Sequence, residues 1–81
     1  KDIINELIGN SPEAKAILLL HETKRNSVVG ILNTEKDYDA MQLTQKFSPT
    51  GSRKQATFTL TDTDIKKAED LVVGEIKGKM K

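Results

Sequence analysis

The chain of 81 residues carries 13 basic and 12 acidic side chains, one histidine and no cysteine. This length corresponds to a single domain over residues 1–81. The lack of cysteine excludes disulfides and thiolate metal sites, and it favours a reducing, cytoplasmic compartment. Balanced charge argues against a chain built as a whole to bind nucleic acid or membranes. No apolar run approaches the ~20 residues that are needed to cross a bilayer.

The N-terminal segment, residues 2–8, predicts a short helix. Asp2 suits the first turn of such a helix. The apolar side chains fall on one helical stripe: Ile3, Ile4, Leu7 and Ile8. Gly9 follows as a stop signal of the left-handed type.

Residues 15–22, with the sequence KAILLLHE, are compatible with two structures. Alanine and leucine favour a helix, but the apolar run is short and continuous, and a polar turn follows at residues 23–26. Residues 27–33 are apolar and β-branched again. We interpret residues 16–22 and 27–33 as a β-hairpin, in which Gly30 marks a bulge or a close backbone approach.

A further helix is predicted from Asn33 or Thr34 to about Phe47. Thr34 begins a weak capping-box pattern, and acidic residues occupy the first turns, where the helix dipole favours anions. Residues 48–55 predict a loop, because one proline and one glycine interrupt a polar stretch.

The last third of the chain combines a strand and a helix. Residues 56–60 alternate between apolar side chains and threonine, which is the pattern of a half-buried strand. We expect Thr61 to cap the last helix, with Asp64 three residues further on. The expected buried stripe of this helix consists of Ile65, Ala68, Val72 and Ile76.

The predicted fold is α+β, with the element order α-β-β-α-β-α and a small three-stranded sheet, made of the hairpin plus one strand, packed with helices. The side chains of residues 17–20 point alternately to both faces of the sheet, so both faces need cover. Three short helices cover one face well and the other only partly. We therefore expect self-association to cover the remainder, unless residues 15–22 form a helix.

The sequence contains no catalytic, cofactor or metal motif that withstands inspection. His21 is the only histidine, and no G-x-S-x-G turn presents a nucleophile. The acidic stretches that begin at Glu35 and Asp62 resemble the start of calcium loops, but neither has a carboxylate at the twelfth position. We therefore expect no enzymatic activity, no bound metal and no small-molecule cofactor.

Basic residues mark the candidate contacts to nucleic acid. They lie at predicted turn tips and near the C-terminus: Lys24, Arg25, Arg53, Lys54, Lys77, Lys79 and Lys81. Such positions often contact phosphates, but the chain has only two Phe, one Tyr and no Trp on which bases could stack.

Two functional hypotheses follow. The first is a non-enzymatic protein-interaction or regulatory accessory domain, whose partner is another protein or a second copy of the chain. The alternative is a nucleic-acid-binding accessory protein that uses the basic loops and the lysine-rich C-terminal segment, and it requires these groups to converge on one face. Neither hypothesis involves a membrane.

Overall fold

In the computed structural model, which describes residues 3–8, 16–24, 26–35 and 38–79, the chain forms a five-stranded antiparallel sheet with helices on one face. The elements in chain order are β1 (Ile3–Ile8), β2 (Ala16–Lys24), β3 (Ser27–Thr34), α1 (Ala40–Leu43), a 3₁₀ turn (Gln45–Phe47), β4 (Thr50–Gly51), β5 (Gln55–Thr61) and α2 (Ile65–Lys79). Across the sheet the strands lie in the order β1-β2-β3-β5-β4. The predicted three-stranded sheet with the order α-β-β-α-β-α is therefore wrong. Two further strands join the sheet, and α2 is the one long helix among these residues.

The segment predicted as an N-terminal helix is the edge strand β1. It pairs with β2 from Ile3 opposite His21 to Ile8 opposite Ala16. Isoleucine favours strand backbone, and β2 needs a partner for the backbone groups along its outer edge. Ile8 is buried in the core and Ile4 packs against it, two pleats apart on the same face. Of the residues predicted to form one helical stripe, Ile4 and Ile8 thus lie on the core side of the sheet and Ile3 lies on the opposite side.

The predicted hairpin is confirmed, and residues 16–22 are strand rather than helix. β2 and β3 pair along their whole length, with Leu19 directly opposite Ile31. The register shifts only near the turn, between Glu22 and Lys24. Gly30 does not form a bulge. It is instead a position of close packing, because the ring of Phe58 lies against it.

The helix predicted over residues 34–47 is much shorter in the structure. β3 continues to Thr34, whose amide donates a hydrogen bond to the Lys54 carbonyl oxygen at 2.9 Å. Because Thr34 is held in this strand, it cannot cap a helix. The cap of α1 is Asp39, whose carboxylate accepts a hydrogen bond from the Gln42 amide at 3.1 Å.

The segment predicted as a loop, residues 48–55, contains the short edge strand β4. Thr50 and Gly51 pair with Thr57 and Ala56 of β5. Gly51 has a φ of 129°, and a β-carbon there would collide with the carbonyl oxygen of Gln55. Only glycine therefore fits this turn without strain. The strand is too short and too polar to show an alternating pattern in the sequence.

The predicted strand at residues 56–60 and the C-terminal helix are confirmed as β5 and α2. Asp64 caps α2 by accepting a hydrogen bond from the Lys67 amide at 2.8 Å, whereas Thr61 remains the last residue of β5. The buried stripe of α2 is the predicted one: Ile65, Ala68, Val72 and Ile76. It packs on the core-facing side chains of the central strands: Ala16, Leu18, Leu20, Val28, Leu32, Ala56 and Phe58. The core therefore lies between one face of the sheet and the helices.

Candidate functional site

The opposite side of the sheet, which we call the open face, consists of the side chains that alternate with those of the core. Strand register places these residues on it: Ile3, Asn5, Ile17, Leu19, His21, Lys24, Ser27, Val29, Ile31, Asn33, Thr50, Gln55, Thr57, Thr59 and Thr61. The buried residues of α1 and α2 all belong to the core on the other side. No described helix therefore covers the open face.

The centre of the open face is apolar. Leu19 and Ile31 lie directly opposite each other on the two central strands of this region. Two apolar side chains near the centre are more accessible: Ile17, two residues before Leu19 on β2, is 43% exposed, and Ile3 on the edge strand β1 is 61% exposed. A sheet face that groups half-buried and exposed apolar side chains in this way is typical of contact surfaces.

A polar rim surrounds this apolar centre. Beyond Ile31 the face continues into a row of threonines on β5, with Thr57 directly opposite Ile31. At one end, the Gln55 side-chain amide donates a hydrogen bond to the Asn33 side-chain oxygen at 2.9 Å. At the other end lies His21, which is exposed beside Ile3.

Among the described residues of the open face the only charged side chain is Lys24, which lies at the turn end opposite Ser27, although aspartate, glutamate, lysine and arginine make up 31% of the chain. The water-facing side of an antiparallel sheet ordinarily carries polar and charged residues that alternate with the core. Depletion of charge around an apolar centre is instead the composition found at the core of protein–protein interfaces. The open face is therefore the candidate functional site.

The described basic residues that the sequence suggested are divided between two ends of the molecule. Lys24 lies at the turn between β2 and β3, close to the start of α2, where the Thr63 amide donates to the Asn26 carbonyl oxygen at 3.3 Å. Arg53 and Lys54 lie at the other end of the sheet, and β3 spans the intervening distance of about 23 Å at ~3.3 Å per residue. Arg25 and Lys81 fall outside the described residues.

Lys77 and Lys79 end α2 at the same end of the molecule as Arg53. Acidic partners occupy much of this basic end. The Arg53 guanidinium lies 3.6 Å from the Asp39 carboxylate, and Lys79 lies 3.4 Å from Glu75. These pairs are partly exposed and add little stability, but they reduce the positive charge that a phosphate would meet.

A second feature is a pair of carboxylates between β1 and α2. Glu6 shares a hydrogen bond with Glu69 and thereby raises the pKa of Glu69; desolvation, and repulsion from Glu6 and Asp70, act in the same direction, while Lys66 opposes them. A cavity of about 370 Å³ lies beside this pair. The described residues contain no group of three or more side chains suited to hold a metal ion. The pair is therefore an electrostatic feature of the β1–α2 contact.

The described part of the chain contains no helix long and apolar enough to cross a membrane. A second cavity, of about 360 Å³, lies beside α1 and is lined by Tyr38, Asp39, Gln42, Leu43, Gln45 and Lys79. None of these lining residues is a serine, cysteine or histidine that could form a nucleophile and base pair.

No family model, curated protein or solved structure is detectably similar to the chain. The function therefore has to be inferred from the surface itself. The sequence pointed to part of the open face through the two-faced leucine strand. It missed the contribution of Ile3, because that requires β1 to be a strand.

Proposed function

We propose that the protein is a non-enzymatic interaction domain whose open face binds a protein surface that is itself apolar and uncharged. The observation that carries this proposal is the uncharged apolar centre of the open face, with Ile17 43% exposed and Ile3 61% exposed. Covering such side chains removes apolar area from water, which contributes about 25 cal/mol per Å².

The chemistry of the partner follows from the charge of the face. A highly charged partner would lose its hydration on this face without gaining an opposite charge, and such desolvation is costly. An apolar partner surface with hydroxyl and amide groups at its margin meets no such penalty. The rim of Thr57, Asn33 and Gln55 offers hydrogen bonds to a partner of that kind.

The placement of the basic residues favours this proposal over nucleic-acid binding. Binding along a nucleic acid backbone requires several cations on one continuous surface. Here the sheet length separates Lys24 from the cations at the other end of the molecule. Two of those cations, Arg53 and Lys79, already pair with carboxylates.

Site-specific photo-crosslinking in the cells that produce the protein tests the proposal. A benzophenone amino acid replaces Ile17 on the open face in one variant, and Lys66 on the outer surface of α2 in a matched control. We expect specific protein adducts from position 17 and only background from position 66. Equal adduct yields from the two positions would contradict the proposal.

A further inference from the structure

We infer that the partner of the open face is a second copy of this chain, with the two sheets packed face to face about a two-fold axis. This inference rests on the proposed function and names the partner for it. A two-fold interface brings the same patch of both copies together, so the patch must be complementary to itself. The open face meets that requirement because its apolar centre carries no charged side chain, and its one described lysine, Lys24, lies at the turn end opposite Ser27.

The polar groups of the face are also suited to self-pairing. Threonine hydroxyls and the side chains of Asn33 and Gln55 both donate and accept hydrogen bonds, so each can pair with the same residue type. A patch of a single charge sign, or one made only of acceptors, could not do so. The uncharged polar groups of the face therefore each find a suitable hydrogen-bonding partner type on a second copy.

The size of the face matches a small dimer interface. The four longer strands are six to nine residues long. At ~4.8 Å of width per strand and ~3.3 Å of length per residue, they make a face of about 19 by 23 Å, or about 440 Å². Two copies would together bury about 900 Å², close to the ~1,000 Å² at which specific interfaces begin. The pairing should therefore be specific but of modest affinity, with dissociation constants on the order of micromolar.

The pairing also completes the architecture of the domain. Stacked antiparallel sheets lie about 10 Å apart with their strands about 30° from parallel. Each copy already has helices on its outer face, so the pair would form four layers in the order helix, sheet, sheet and helix. Leu19 and Ile31 of both copies would then fill the centre, where no described helix of the single chain packs on them.

Sedimentation velocity over a concentration series tests this inference, with three lysine variants. Ile17→Lys and Ile3→Lys each place a charge on the open face at an exposed position, so that folding is preserved. Leu71→Lys makes the same type of change at a matched exposure, 48% against 43% for Ile17, but on the outer surface of α2. Circular dichroism verifies that all variants are folded.

We expect the wild type and Leu71→Lys to form dimers with the same dissociation constant, and both open-face variants to weaken the dimer tenfold or more. A wild type that stays monomeric into the millimolar range would overturn the inference. So would a dimer that tolerates both Ile17→Lys and Ile3→Lys, because it would use another surface. Photo-crosslinking separates this failure from that of the proposed function: adducts from position 17 with a different protein would overturn self-pairing alone, whereas adducts no stronger than those from position 66 would overturn both.

Discussion

The ring of Phe58 lies so close to Gly30 that a β-carbon on the glycine would be 2.5 Å from both Cε2 and Cζ of the ring. The two residues are directly opposite each other on β5 and β3. Phe58 also stacks on Phe47, with 5.2 Å between ring centroids. Because Gly30 has no side chain, the Phe58 ring fits beside it and stacks on Phe47 of the 3₁₀ turn.

Gly30→Ala should therefore destabilise the protein, because the methyl group would push the Phe58 ring away from Phe47. Overpacking of this kind costs about 1–3 kcal/mol. Urea unfolding at equilibrium measures the change. Gly74→Ala is the matched control: a β-carbon at Gly74 meets no atom within 4 Å, so this helical substitution should stabilise by about 0.5–1 kcal/mol. An unchanged midpoint for Gly30→Ala would mean that the ring has room to move.

The buried hydroxyl of Thr44 should stabilise the C-terminal end of α1. It is fully buried, and its hydroxyl donates a hydrogen bond to the Ala40 carbonyl oxygen at 2.8 Å. Thr44→Val keeps the shape but removes this bond, so we expect a loss of about 1 kcal/mol in the free energy of unfolding. Thr44→Ser keeps the bond and loses one methyl group. A Thr44→Val variant more stable than the wild type would show that the site prefers an apolar residue.

The stability of the β1–α2 contact should depend on pH through Glu69. Because its partner Glu6 raises the pKa of Glu69 above the ordinary 4.5, the folded state binds this proton more readily than the unfolded chain does. The resulting stability is fully present below pH 4.5 and is lost as the pH rises through the raised pKa. Glu69→Gln should therefore be more stable than the wild type at neutral pH, with a difference that shrinks in acid.

Thermal unfolding between acidic and neutral pH measures this difference. Glu22→Gln removes the same charge at the far end of β2 and serves as the control. Equal effects of the two substitutions would point to net charge rather than to the contact between Glu6 and Glu69.

Nucleic-acid binding is the alternative function that the sequence predicts, and it can be measured directly. Because the basic residues are divided between two ends of the sheet, we expect no rise in fluorescence anisotropy of labelled DNA or RNA, even at about 50 mM salt. Tight binding that falls steeply with salt, and weakens in Arg53→Ala and Lys54→Ala, would instead restore the nucleic-acid hypothesis. Leu71→Lys serves as a control for nonspecific charge.

The central hairpin, β5 and α2 could be predicted because each has a local signal: β-branched runs around a turn, clean alternation, or an apolar helical stripe. β1 could not, because its isoleucines fit a helical stripe as well as a strand, and only the unpaired edge of β2 decides between them. The start of α1 was misplaced because Thr34 is engaged by Lys54, twenty positions away. The open face could be predicted only in part from the sequence, because its low charge becomes apparent only when the five strands are aligned in the sheet.

The coverage of the sheet also determines how far the proposed association would proceed. Because α1 and α2 already cover the core-side face, each copy has a single apolar sheet face to share. Once two copies share it, no equivalent surface remains for a third, and assembly stops. Pairing along strand edges would instead extend indefinitely. One edge of this sheet is the two-residue β4, which offers few backbone groups for hydrogen bonds to another chain. The fold thus favours a closed pair over an open-ended fibre.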